Sequence, residues 1–352
     1  MNPIMLTTTE IADAAIREIV QLSLSAAPFD LFLDQLLVPG DAWFRWVAQL
    51  GQIRETRTAL SGLFGRFVAR AYLTKYCGFG YFEPIRADLQ ALAGWPSLTI
   101  RKNDSGDLPD WMTATVAGAN AYAVAEAKGS HNTQGVEAAL GAAKKQVGRI
   151  DIMSGTASLT TKRYALATRW SVHGRPDLDK PYLYVDDPDE GDRDPTPKET
   201  RHVARSIALG HYATLAEGFG LPGTAAALMS AKRSAPGNLA LPRRELTLLS
   251  MGDKSRGPTL CAAIVPNGVV PIPGDGDIDA FRNGLLAVYG ERTAILAVGE
   301  EDILNVDRLE YPTFEADQVV APGSFWNRRR IHIDGSELAP LRDTVIKRET
   351  VP

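Results

Sequence analysis

The chain has 352 residues, 45% hydrophobic and 23% charged, with a formal net charge of −4. Such a length suits two domains, or one domain with large additions, and such a composition allows a substantial buried core. The charge excludes a globally basic coat for nucleic acid but permits a local basic groove.

Two cysteines, Cys77 and Cys261, lie far apart, which argues against a disulfide framework or a Cys-rich zinc site. The five histidines show no metal-ligand spacing; His131, three residues after Lys128, is the one near the motif described below. Met1 to Asp13 lacks a basic-then-apolar export pattern. No apolar run approaches the ~20 residues needed to cross a bilayer. The expectation is a cytoplasmic protein without membrane contact.

The first hundred residues read as mostly helical. Ile11, Ala15, Ile16, Ile19, Val20 and Leu22 to Leu24 outline an amphipathic helix, with Thr7-Thr8-Thr9-Glu10 as its capping signal. Ala42 to Gln52 and Arg57 to Tyr76 suggest two more. The aromatic residues there (Trp43, Phe44, Trp46, Phe64, Phe67, Tyr72, Tyr76) are read as core packing rather than base stacking. Cys77 to Ile85 is a loop or short strand, and Leu98 to Lys102 a strand.

The most chemical stretch follows. Leu108-Pro109-Asp110 precedes, by sixteen residues from Asp to Glu, the run Val124-Ala125-Glu126-Ala127-Lys128. Trp111 to Val116 reads as a strand, Ala117-Gly118-Ala119-Asn120 as a turn, and Ala121 to Ala127 as a buried strand. Antiparallel pairing centred on Gly118 sets Asp110 opposite Glu126. Residues two apart on a strand share a face, so Lys128 joins them. A turn centred half a residue later would separate the three. Two carboxylates form a hard-oxygen site suited to Mg²⁺ or Mn²⁺. Lys128 would orient or deprotonate an attacking water and offset phosphate charge. The plainer alternative is a surface hairpin with an ordinary Glu–Lys pair.

Pro109-Asp110 with Glu126-Ala127-Lys128 resembles the PD-(D/E)XK nuclease superfamily, the restriction-endonuclease-like fold. The resemblance covers roughly Phe64 to Val185. It implies a small mixed sheet flanked by helices, divalent-metal dependence, and cleavage of DNA or, less often, RNA. It also implies roles for Asp110 and Glu126 as metal ligands and for Lys128 in assisting water. Thr133 to Ile150 is the expected helix after the motif, with Val136, Leu140, Ala143, Val147 and Ile150 on one stripe. Gln146 beside that stripe is similar to the downstream Gln that some recombination-type members use near the metal; a solvated helix position is its alternative. Lys144, Lys145 and Arg149 can reach phosphates from the same helix. Many members carry an acid on the helix before the hairpin. Gly62 to Tyr76 offers Arg66, Arg70 and Lys75 instead, with Glu55 earlier and Glu83 just after.

Arg163 to Val172 and Pro181 to Val185 read as further strands, completing a sheet of about five. Asp186 to Pro197 packs six acids and three prolines into twelve residues, a solvated linker and candidate boundary. Thr200 to Phe219 is helical. Gly218 to Gly223 matches a dinucleotide fingerprint only formally, because it follows a helix and contains Pro222; it is a helix stop. Short strands follow at Glu245 to Met251, Thr259 to Val265, Val269 to Ile272 and Thr293 to Val298, with a helix over Asp279 to Tyr289. Asp275-Gly-Asp277-Ile-Asp279 lacks the Gly and Glu of a calcium loop and reads as a polar turn.

The expected class is therefore α/β of α+β character: a restriction-endonuclease-like core with a mixed central sheet flanked by helices, an N-terminal helical extension and a C-terminal α+β region. The expected units are 1–60 (helical), 61–186 (nuclease-like core), 187–199 (acidic linker) and 200–352 (α+β). The expected function is a metal-dependent endo- or exodeoxyribonuclease, of the kind that serves restriction or phage defence, acting as a homodimer or with a defence-system partner protein. The alternative is a catalytically inactive nuclease-like subunit that binds DNA or protein.

Overall fold

The computed structural model describes residues 4–22, 45–46, 54–87, 89–92, 98–116, 121–130, 135–172, 181–251, 254–273, 277–310, 326, 329–332 and 334–347. The chain is a mixed α/β protein built from helices and several sheets. None of its described helices is long and apolar enough to cross a membrane.

Helix α1 (Thr8–Gln21) begins at the capping box its sequence announces. Thr7 Oγ1 accepts from the Glu10 amide at 3.2 Å, and the Glu10 carboxylate accepts from the Thr7 amide at 2.7 Å. Helix α2 (Arg54–Cys77) packs along it. The chain then lays down β1 (Phe79–Pro84), β2 (Leu98–Lys102), β3 (Trp111–Thr115) and β4 (Tyr122–Ser130), followed by helix α3 (Gly135–Val147). Strands β5 (Ile150–Ser154), β6 (Thr161–Arg169) and β7 (Tyr182–Asp186) come next. The main sheet has the order β7-β6-β4-β3-β1. Its β4–β6 pair is parallel and its other neighbours are antiparallel. A parallel pair needs a crossover, and α3 lies within it. One face of the sheet packs on α2 through Ala69, Leu73, Trp111, Ala125 and Leu166.

Two expected helices differ. Within 42–52 only Arg45–Trp46 is described, and it is extended, paired in parallel with Ser171–Val172. The helix expected to reach Ile150 ends at Val147, where Gly148 and Arg149 turn back on Lys144 and Gln146. Ile150 and Ile152 alternate with less buried neighbours in β5, which pairs with β2 in a separate sheet. A period of two overrides the apparent continuation of a 3.6-residue stripe.

The acidic segment does not hang free. Asp189–Glu190 pairs with β6, and the Thr160 amide donates to the Arg193 carbonyl at 2.6 Å. Helix α4 (Pro197–Gly218) then starts at a second capping box, Thr196 with Glu199. Residues 202 to 216 of α4 are buried without interruption. A helix buried on every side belongs inside a structure, and α4 packs on β1 and β3 of the main sheet and on α1. Tyr212 meets Tyr81 of β1 edge-on at 5.7 Å. Helix α4 ends where Gly220 takes φ +75°, the helix stop expected there.

Beyond α5 (Pro222–Ala231) come β8 (Thr247–Met251), β9 (Lys254–Val265), β10 (Gly268–Pro271), α6 (Ile278–Tyr289), β11 (Ala294–Gly299), α7 (Glu300–Asp307), β12 (Glu337–Pro340) and β13 (Thr344–Lys347). Their antiparallel sheet runs β12-β11-β9-β8-β13, with β10 beside β9. Helix α6 covers its outer face, Phe281 and Leu285 joining Cys261 and Ile295. Asp277 caps α6 by accepting from the Asp279 and Ala280 amides, so the described part of the Asp-rich run is a helix start. One apolar cluster extends from Ile11 through Val203 to Leu338 and unites both sheets.

Candidate active site

The hairpin register decides the site. Strands β3 and β4 pair Trp111 with Ala125 and Thr113 with Ala123, so the next pair outward is Asp110 with Glu126. This is the alignment centred on Gly118; residues 117–120 themselves lie outside the described set. The Asp110 amide donates to Glu126 Oε2 at 2.9 Å, and the Ala127 amide donates to Asp110 Oδ2 at 2.8 Å. Lys128 Nζ forms an ion pair with Glu126 Oε1 and donates to Gln146 Oε1 at 2.9 Å. Gln146 Nε2 in turn donates to the Leu108 carbonyl at 2.5 Å. Asp110, Glu126, Lys128 and Gln146 thus form one connected cluster. Gln146 is 7% exposed. It is not a solvated helix position, because its amide bridges the Lys128 ammonium and the segment leading into Asp110.

The electrostatics follow from burial. Glu126 is 1% exposed. Desolvation, then the neighbouring Asp110 charge, pushes its carboxyl up to about 8, against the pull of Lys128. Desolvation also raises Asp110, opposed by Arg66 and the Ala127 amide. Two close carboxylates in a dry site resist double ionisation unless a cation joins them.

Arg66 and Glu18 are site residues that the sequence does not reveal. Arg66 NH1 forms an ion pair with Asp110 Oδ1, while its Nε and NH2 grip Glu18 Oε1 at 2.7 and 2.5 Å. Its guanidinium lies 4.5 Å over the Trp111 ring. Glu18 is buried on α1 and held also by Arg70 NH1 at 2.9 Å. Burial opposes its ionisation, but Arg66 and Arg70 together hold it below the usual carboxylate range. The one sequence signal is a Glu inside the apolar stripe of α1, seven residues after Ile11. The other candidate acids do not join: Glu83 is buried against Lys232, and Glu55 is exposed at the start of α2. His131 lies outside the described residues.

Glu18 also begins a buried polar chain. Arg70 NH1 donates to Gln21 Oε1 at 2.6 Å, Gln21 Nε2 lies 2.9 Å from His211 Nδ1, and His211 Nε2 lies 2.9 Å from Asp334 Oδ2. It ties α1 and α2 to α4 and the C-terminal segment.

The donor set fits a hard divalent cation. Each carboxylate oxygen of Asp110 and Glu126 meets one N–H group. An oxygen with two lone-pair sites keeps one for a further ligand. Among the described residues no group of three or more His, Cys, Asp or Glu side chains converges. The site therefore offers two carboxylates, the number by which Mg²⁺ is often held with water completing its shell. No protein-family model matches the chain. No curated protein and no solved structure matches it either.

Proposed function

We propose that this protein is a divalent-metal-dependent nuclease of the PD-(D/E)XK type, hydrolysing phosphodiester bonds of DNA. The carrying observation is the linked set Asp110–Glu126–Lys128–Gln146 at one end of a hairpin in a mixed sheet flanked by helices. Asp110 and Glu126 are the metal ligands. A bound Mg²⁺ or Mn²⁺ supplies polarisation of the scissile phosphate and stabilises charge on the leaving oxygen. Lys128, anchored by Glu126 and Gln146, holds its ammonium where it orients the attacking water and offsets phosphate charge. Gln146 keeps Lys128 in place. Lys145, exposed on the helix carrying Gln146, is a candidate phosphate contact. A role in restriction or phage defence rests on analogy with stand-alone nucleases of this type.

The test is cleavage of plasmid and linear DNA with Mg²⁺ or Mn²⁺, compared with EDTA and with Asp110→Ala and Lys128→Ala. Metal-dependent cleavage abolished in both variants is the expected result. Cleavage untouched in both removes the assignment. A binding-only role draws on one observation, the Arg66 guanidinium already seated on Asp110. DNA binding that persists in EDTA, with no cleavage under any divalent ion, would favour it.

A further inference from the structure

We infer that Arg66 is the built-in counter-cation of Asp110, a positioning residue that competes with the divalent cation for this carboxylate and so sets how tightly the metal is held. The inference rests on the metal-site reading of Asp110 and Glu126 and goes one step further, to a residue of a different helix.

Three observations carry it. First, the guanidinium is divided between two acids. Nε and NH2 are committed to Glu18 at 2.7 and 2.5 Å, leaving NH1 for Asp110 Oδ1. Second, the division is rigid on one side only. Glu18 is buried and held again by Arg70, and the guanidinium rests on the Trp111 ring. Loss of the NH1 contact would leave Arg66 where it is. Third, a fixed cation already stands at the site. Asp110 faces Arg66 and Glu126 faces Lys128, each within ion-pair distance. A divalent ion taking a lone-pair site that Asp110 keeps open must tolerate a fixed positive charge a few ångströms away. Arginine suits this role because its charge is permanent and its planar fork binds two carboxylates at once.

The same geometry explains how Asp110 is aimed before metal arrives. Arg66 holds Oδ1 from α2 while the Ala127 amide holds Oδ2 from β4. The carboxylate plane is thereby fixed from both sides.

The experiment is calorimetric titration of the full chain with Mn²⁺, in the absence of DNA, for the wild type, Arg66→Lys and Arg66→Gln. Because Arg66→Gln leaves the buried Glu18 with one partner fewer, the double variant Glu18→Gln/Arg66→Gln is titrated alongside it, with folding monitored by circular dichroism. The expected result is binding about tenfold tighter in Arg66→Gln, the scale of one unit charge within several ångströms of a divalent ion even at high effective dielectric, and a smaller tightening in the double variant, where loss of the Glu18 charge offsets part of the gain. Arg66→Lys, which keeps the charge, stays near the wild-type value. If the wild type binds Mn²⁺ and the charge-removed variants bind it equally or more weakly, the counter-cation role is overturned while the metal site stands. If neither the wild type nor the variants bind, the metal site falls and this role with it.

Discussion

Asp110 and Glu126 are latched reciprocally through the backbone: the Asp110 amide donates to Glu126 Oε2 at 2.9 Å, while the amide following Glu126 donates to Asp110 Oδ2 at 2.8 Å. Each acid is oriented by the strand that carries the other. The hairpin therefore places two residues sixteen apart in sequence and also fixes how each carboxylate is turned. Burial raises the proton affinity of both carboxyls despite Arg66 and Lys128 beside them, and measurable consequences arise from that.

The first concerns pH. Burial, with Asp110 second, raises Glu126 from an ordinary 4.5 to about 8. Between those values the folded protein holds a proton that the unfolded chain has released, so stability falls as pH rises. The buried histidines, held below their ordinary range by desolvation, act in the opposite sense over part of this window. The difference between proteins isolates the carboxyl. In EDTA, the melting temperature of the wild type should drop relative to Glu126→Gln on going from pH 5 to pH 8. A difference that stays flat across that range would show that Glu126 is ionised throughout. Mg²⁺ should shrink the drop.

Lys128 and Gln146 form the next pair. Lys128→Ala should lower cleavage by about 10²-fold or more, the scale of a lost acid–base or charge-stabilising group. It should also raise the proton affinity of Glu126 further, since Lys128, with the Asp110 amide, pulls it down. Gln146→Ala removes its bonds to Lys128 and to the Leu108 carbonyl. Each such bond is worth about 1 kcal/mol. Activity about tenfold lower, with an altered pH–rate profile, is expected. An unchanged profile would make Gln146 a merely structural residue.

Backbone proximity supplies a purely structural prediction. A Cβ on Gly129 would overlap the Ser61 carbonyl oxygen, and one on Gly65 would stand 2.8 Å from Gly129 Cα. Helix α2 and strand β4 approach this closely because both positions lack side chains. Gly129→Ala should therefore destabilise the fold by about 3 kcal/mol or more, beyond the 1–3 kcal/mol of ordinary overpacking, because the clash is with backbone. Chemical denaturation measures it. The shift in β4 should weaken metal binding as well, since Glu126 lies three residues earlier on the same strand.

The buried chain from Glu18 to Asp334 joins distant parts of the sequence. Asp334 is within 2.9 Å of His211 Nε2 and 3.5 Å of Arg17 NH1. Its own carbonyl accepts from the Tyr212 hydroxyl at 2.7 Å. Asp334→Ala would leave Arg17 and His211 buried without this partner, at a loss of about 3–5 kcal/mol. A midpoint shift under 1 kcal/mol in urea would mean that the network relaxes around the gap.

Much of this is written in local sequence. The capping box at Thr7–Glu10 and the helix stop at Gly220 depend on residues within a turn of each other, so neighbouring side chains settle them. The hairpin register likewise depends on a short symmetric interval about Gly118, and the apolar alternation agrees with it. These features place Asp110, Glu126 and Lys128 together. Helical periodicity misleads at Arg45–Trp46 and at Ile150 because a strand partner far along the chain supplies hydrogen bonds that periodicity cannot show. Gln146 is ambiguous in sequence for a related reason: its stripe position fits solvent or site equally until Leu108 and Lys128 stand beside it.

By itself, the amino-acid order determined the hairpin register, the grouping of Asp110, Glu126 and Lys128, and the rough extent of several helices and strands, since these are governed by short-range sterics, capping and alternation. Only the packed molecule decided that Arg66 is shared between Glu18 and Asp110, that α4 packs on β1 and β3, and that the acidic segment is stitched to β6. Those relationships join residues tens to hundreds of positions apart. They exist because burying apolar faces forces charged groups on separate elements to find partners in a dry interior, and no local pattern encodes which partner that is.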